Sequence, residues 1–167
     1  GVVHSAALLS TALRADPLRG LEVNVMGTAS VLEAARRAGV RRVVLMSSTT
    51  VVYSAFGTLP PDPIPEDAAL HMIADRPRSL YAMTKIATEQ LALLWRDLYG
   101  VETVSLRLAA VLGGPDATVT SVPGRLFARL IAAARDGGEH LLDDPLLAWS
   151  GEEEFVDFRD GAAAALA

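Results

Sequence analysis

Cysteine is absent from the 167 residues. A chain without thiols has no disulfide framework, no thiolate metal site and no thiol nucleophile. Lysine occurs once among 15 basic residues, at Lys85, and asparagine occurs once, at Asn24. The formal charge of −5 excludes the basic footprint of a nucleic-acid binder. No apolar run reaches the ~18 residues of a membrane span, and no charged leader with a small-residue cleavage site is present, so a cytoplasmic protein without membrane or nucleic-acid partners is expected. His4, His71 and His140 do not share a metal-ligand spacing, so no metal is expected. Neither a G-x-S-x-G nucleophile elbow nor a G-x-G-x-x-G phosphate loop occurs.

What is present is apolar: 51% of the residues are hydrophobic, enough for a sizeable core in a chain the length of one domain. Gly1–Ala7 reads as a buried strand. Asp16-Pro17 opens a helical stretch to Ala38, with Asp as N-cap, Pro at the first helical position and Gly39 as C-cap. Arg41–Met46 contains an unbroken apolar run, the pattern of a strand covered on both faces in a parallel sheet. Five prolines between positions 55 and 78 predict a loop. Ser79 starts a helix to Tyr99, ended by Gly100, on which Leu80, Met83, Ala87, Leu91, Leu94 and Leu98 recur at helical spacing and Trp95 is a core candidate. Val101–Ala109 reads as a strand broken by Gly113-Gly114-Pro115, Pro123–Asp136 as a helix, Phe155–Asp157 as a strand, and the alanine-rich end as a last helix. This alternation predicts an α/β fold, a doubly wound parallel sheet of Rossmann type. The strand-like start and the helix without a stop signal predict an interior piece of a longer protein, incomplete at both ends.

Three features carry candidate chemistry. Tyr81 stands four residues before Lys85, so the two share a helix face. An ammonium beside a phenol, in the first turn of a helix, lowers the phenol's pKa and makes a general acid/base. A tyrosine and a lysine that merely share a surface give the same spacing. Ser47-Ser48-Thr49-Thr50 follows the Val43–Met46 run, where hydroxyls at a strand's carboxyl end face a ligand crevice or form a turn. Asn24 sits mid-helix, where asparagine is mildly unfavourable unless it bridges backbone or water.

The ordered set Val2-Val3-His4-Ser5-Ala6-Ala7, Asn24-Val25-Met26-Gly27-Thr28, Val43–Thr49 with Val52-Tyr53, Tyr81-Ala82-Met83-Thr84-Lys85, Leu106-Arg107 and Glu154–Asp160 resembles the extended short-chain dehydrogenase/reductase family, in its NAD-dependent sugar epimerase/dehydratase branch. The resemblance implies Tyr81 as the acid/base, Lys85 as its partner and a ribose contact, and Thr49 as the hydroxyl that bonds the reacting oxygen. It implies Ser5, Ala6, Ala7, Asn24, Ser47, Ser48 and Ala109 around an NAD or NADP cofactor. The substrate implied is a nucleotide sugar or related polyol, oxidised or epimerised at a hydroxyl carbon. Residues 110–155 would contribute to the substrate-binding part of one dinucleotide-binding domain. A homodimer would form through the helices near 16–38 and 79–99, with Leu93 and Leu94 on the outer face.

Some positions depart from the family pattern. Ala110 stands where a substrate-facing Asn is usual, and Thr50-Val51 replaces the Asp-Glu pair of dehydratases, which disfavours dehydration. The phosphate loop would lie about 60 residues before Gly1, so the isolated chain is expected to bind dinucleotide poorly and to be inactive. A non-catalytic dinucleotide-binding redox sensor or scaffold is the alternative reading.

Overall fold

The computed structural model describes residues 1–55, 66, 79–113, 122–137, 141 and 155–167. His71, His140 and the acidic runs at 143–144 and 152–154 lie outside them, as does most of the expected 55–78 loop. The chain divides into two compact units, Gly1–Arg107 and Leu108–Ala167.

In the first unit β1 (Val2–His4) pairs in parallel with β2 (Arg42–Ser48), Val2 opposite Val43 and His4 opposite Leu45. The sheet order is β1-β2-β3, with β3 spanning Glu102–Leu108. Between β1 and β2 come α1 (Ser10–Ala15), α2 (Pro17–Leu21), a π-helical turn (Glu22–Met26) and α3 (Gly27–Arg37). A 3-10 turn (Thr49–Ala55) follows β2, and α4 (Leu80–Tyr99) precedes β3. Long helical crossovers between strands of one sheet are what parallel pairing demands.

The core forms where α3 and α4 cover one sheet face. Leu32 and Ala35 of α3 meet Val43 and Leu45 of β2, Ala92 of α4 and Val101, with Val2, Val40, Leu91 and Trp95 packed around them. Trp95 is half-buried there and meets Tyr99 edge-to-face at 5.6 Å. The helix ends follow local chemistry. Asp16 Oδ1 accepts from Arg19 N–H with Pro17 behind it, and Ser79 Oγ accepts from Ala82 N–H. Gly39 (φ 64°) and Gly100 (φ 70°) take the left-handed conformation that closes α3 and α4.

Three elements differ from the sequence pattern. The buried strand expected over Gly1–Ala7 is only Val2–His4, with Val3 45% exposed, because the chain beyond it leaves the ladder and Leu8 bonds Asn24 instead. The stretch Asp16–Ala38 is not a uniform helix. Gly27 N–H bonds Glu22 O, five residues back, and widens one turn around Asn24. The cause is tertiary. Asn24, 2% exposed, accepts from Leu8 N–H (2.7 Å) and donates Nδ2–H to Leu8 O (3.0 Å) and to Thr84 Oγ1 (3.1 Å). One side chain thus ties the segment after β1 to α4. The expected Val101–Ala109 strand also ends early, at Leu108. Ala110–Leu112 forms a separate strand, β4, before Gly113.

In the second unit β4 pairs in parallel with β5 (Phe155–Asp157), Val111 opposite Val156. It also holds α5 (Val122–Asp136) and α6 (Phe158–Leu166), the latter capped by Asp157 through Arg159 N–H. Phe127 and Phe155 pack edge-to-face at 4.6 Å.

Replacing Asn24 by Leu leaves the Leu8 amide and carbonyl without their partner. Each orphaned group costs about 1–3 kcal/mol, so urea unfolding should reveal a loss of that order for Asn24→Leu. A loss under about 0.5 kcal/mol would mean that water replaces the amide without cost.

Candidate functional site

A small cleft opens at the carboxyl ends of β1 and β2, the place where open parallel sheets bind ligands. Its wall is formed by His4, Ala6 and Ala7 after β1, Asn24 and Thr28 from the kinked helix, Leu45 and Met46 of β2, and Lys85 and Thr88 of α4. Ser5 is exposed and is not part of that wall. Ala109 belongs to the second unit.

Three consecutive residues at the end of β2 hold α4 in place. Met46 O accepts from Lys85 Nζ at 2.6 Å. Ser47 Oγ donates to Glu89 Oε1 at 2.5 Å. The Ser48 hydroxyl acts on the Tyr81 phenol and favours its ionised form, and Ser48 Oγ accepts from Thr50 N–H (3.2 Å). Tyr81, Lys85 and Glu89 are one stripe of α4 at i, i+4 and i+8, so these contacts set the helix's rotation against the strand. The Ser47 hydroxyl, expected at the cofactor, is spent on Glu89. The hydroxyl at Tyr81 is that of Ser48, one residue before Thr49, which opens the 3-10 turn.

Lys85 Nζ lies 5.6 Å from the centre of the Tyr81 ring. Burial pushes the Tyr81 phenol above its ordinary value, and the Ser48 hydrogen bond opposes this only in part. That overturns the expected lowering by Lys85. The ammonium is turned to Met46 O, beside the ring face, while the phenol is withdrawn from water. Burial also lowers Lys85, with Glu89 opposing. His4 is lowered by burial first and by the Lys85 charge second. His4 Nε2 meets Thr28 Oγ1 at 3.0 Å, and Thr28 Oγ1 donates to Asn24 O at 2.6 Å, so His4 is a hydrogen-bonded strand residue.

Glu89 is a charged residue that the sequence reading passed over, and Arg107 entered it only as part of the family pattern, without a role. Glu89 is 7% exposed, and Arg107 binds it through Nη2–Oε2 at 2.8 Å and Nε–Oε1 at 3.1 Å. Arg107 also donates Nη1–H to Glu66 O at 2.9 Å. A signal was available: an acidic residue four after Lys85, in the register that helix periodicity assigns to the interior. Among the described residues no cluster of three metal-ligating side chains occurs, and no helix is long and apolar enough to cross a membrane.

The chain resembles known proteins throughout. The model of the "NAD dependent epimerase/dehydratase family" matches residues 1–167. A UDP-glucose 4-epimerase of Mycolicibacterium smegmatis is 39% identical over 113 residues, 67% of this chain and 34% of that protein. A UDP-galactose 4-epimerase crystal structure matches 99% of this chain and 49% of its own, with TM-score 0.70 and 28% identity. RMD from Pseudomonas aeruginosa, solved with NADPH, matches 98% of this chain and 52% of its own, with TM-score 0.74 and 26% identity. The chain spans about a third of the length of the first of these proteins and about half that of the solved ones. The family model covers every residue and the parallel sheet has the same Rossmann-like architecture: the chain belongs to the NAD dependent epimerase/dehydratase family.

Proposed function

We propose that the protein containing this chain is an NAD(P)-dependent oxidoreductase or epimerase that acts on a hydroxyl carbon of a nucleotide sugar or related polyol. The observation that carries the reading is the placement of half-buried Tyr81 and buried Lys85 on one stripe of α4, with Lys85 bonded to Met46 O at the carboxyl end of β2 and lining the cleft. The nucleotide-sugar class is supported by the epimerase relatives, and NAD or NADP by the family and by the NADPH-bound neighbour.

The residues present fit the sugar half of a dinucleotide. Lys85 is a nearly buried ammonium with three N–H donors, of which one is given to Met46 O, so others remain for ribose hydroxyls. Ala6 and Ala7 carry no side chain beyond Cβ and let a flat ligand lie close to the backbone. When bound, the cofactor supplies the hydride acceptor and donor. Tyr81 takes the substrate's hydroxyl proton as the carbinol is oxidised and returns it on reduction. A hydroxyl from the end of β2 orients the reacting oxygen; Thr49 holds the family's position and Ser48 the proximity to Tyr81. Asn24 holds the Leu8 backbone and the Thr84 side chain. Leu93, Leu94 and Leu98 of α4 are 39%, 50% and 66% exposed, apolar side chains suited to the homodimer contact.

Tyr81→Phe in the full-length protein removes the proton-transfer group while leaving the cleft's shape, so kcat should fall at least about 100-fold with cofactor affinity largely kept. Undiminished turnover would refute the assignment. The raised phenol is protonated at neutral pH and is then a proton donor. Carbonyl reduction should therefore proceed at neutral pH, whereas alcohol oxidation, which needs the phenolate, should quicken as pH rises; a flat oxidative profile would contradict this. Leu94→Glu should convert the dimer to a monomer in light scattering, and an unchanged mass would remove α4 from the interface.

A further inference from the structure

Lys85 and Glu89 stand one helical turn apart in a site with little water: they are 8% and 7% exposed. Opposite charges at i, i+4 pair readily, and the attraction grows as the surroundings dry. Yet the described residues contain no ion pair between them, and Lys85 Nζ is bonded to Met46 O. The carboxylate is already occupied. Oε1 accepts from Ser47 Oγ at 2.5 Å and Arg107 Nε at 3.1 Å, and Oε2 accepts from Arg107 Nη2 at 2.8 Å. The guanidinium's fork matches the carboxylate's two oxygens, so it holds Glu89 from the side of β3 with its charge neutralised.

We propose that Arg107 and Glu89 are positioning residues: by engaging Glu89 from β3, Arg107 keeps the Lys85 ammonium from collapsing onto the carboxylate and leaves it at Met46 O, beside Tyr81 and facing the cleft. This rests on the reading that Lys85 works with Tyr81. The arrangement is economical in bonds. The same carboxylate that could capture the lysine instead fixes Ser47, the residue after Met46, and so holds the lysine's acceptor in place. Arg107 is itself held by Glu66 O at 2.9 Å, which ties the clamp to the chain between β2 and α4. Among the described residues, the charged and titratable groups that face Lys85 are Tyr81 and Glu89 on α4 and His4 on β1, with Arg107 of β3 reaching it through Glu89.

Lys85 is the only lysine of these 167 residues, and its signal is told apart from that of any lysine outside them by substitution. The full-length protein is labelled at lysine 13Cε, the Lys85 resonance is identified by its loss in Lys85→Arg, and its pH titration is followed by NMR without substrate or dinucleotide. In Arg107→Gln the released carboxylate should raise the Lys85 midpoint by about one unit or more. Arg107→Lys, which keeps the charge, should move it by less than half that shift. In the double variant Glu89→Gln/Arg107→Gln no carboxylate remains, and the midpoint should return to the wild-type value or fall below it. A purely structural role would leave the double variant as perturbed as Arg107→Gln, and that result would overturn the proposal, as would an unmoved midpoint in Arg107→Gln. Should Arg107→Gln fail to fold, Glu89→Gln alone decides: it keeps partners for Ser47 and Arg107, and the midpoint should fall, whereas a rise or no change overturns the proposal. The resonance is read without turnover, so a failed shift leaves the assignment of Tyr81 standing. Conversely, full activity in Tyr81→Phe would refute that assignment without touching the lysine shift.

Discussion

The end of β2 and the inner stripe of α4 are joined by polar bonds in a place where hydrophobic contact alone would leave the helix free to turn. Met46, Ser47 and Ser48 each engage a different member of the set Lys85, Glu89 and Tyr81. Apolar packing is non-directional and tolerates small rotations of a helix on a sheet, whereas hydrogen bonds of 2.5–2.6 Å from two helix positions do not. The core supplied by Leu32, Val43, Leu45 and Ala92 brings α4 to the sheet. The polar bonds decide which of its side chains faces the cleft. Any chemistry assigned to Tyr81 depends on this division of labour.

A second polar anchor acts at the other wall. Asn24 satisfies both backbone groups of Leu8 and reaches Thr84 on α4, and the helix that carries it widens by one residue to let it do so. A π turn gives up regular hydrogen bonding, and such turns persist where a tertiary contact compensates. The segment that carries Ala6 and Ala7, the widened helix and α4 are thereby fixed relative to one another around a single amide. Buried polar groups of this kind add little net stability when satisfied and cost much when broken. Their contribution is to define one arrangement of the cleft.

The same burial sets the electrostatics. Withdrawal from water disfavours the charged form of both central groups, raising the phenol of Tyr81 and lowering the ammonium of Lys85. The site is therefore biased toward a protonated phenol at neutral pH, and the residues around it adjust that bias: Ser48 toward the phenolate, Glu89 toward the ammonium. Arg107 governs how much of the Glu89 charge the lysine experiences. A buried carboxylate without the guanidinium would carry a large desolvation cost, which the two-pronged contact offsets.

Much of this was legible in the residues alone because it is local. Asp16-Pro17, Ser79, Gly39 and Gly100 mark helix ends through bonds and backbone angles that involve only their neighbours. The Tyr81–Lys85 spacing likewise places two side chains on one helix face whatever the rest of the chain does. The unbroken apolar run at Val43–Met46 announced a covered parallel strand for the same reason. Tertiary structure alone decided that Ser48 meets Tyr81, that Ser47 turns to Glu89, that Asn24 widens its helix, and that burial rather than Lys85 governs the phenol. The partners in those contacts lie 16 to 60 residues apart, as with Leu8 and Asn24, Ser47 and Glu89, and Asn24 and Thr84. A side chain's own sequence neighbourhood specifies its rotamer choices and helical register, but its dielectric surroundings and its hydrogen-bond partner exist only once distant segments have packed together.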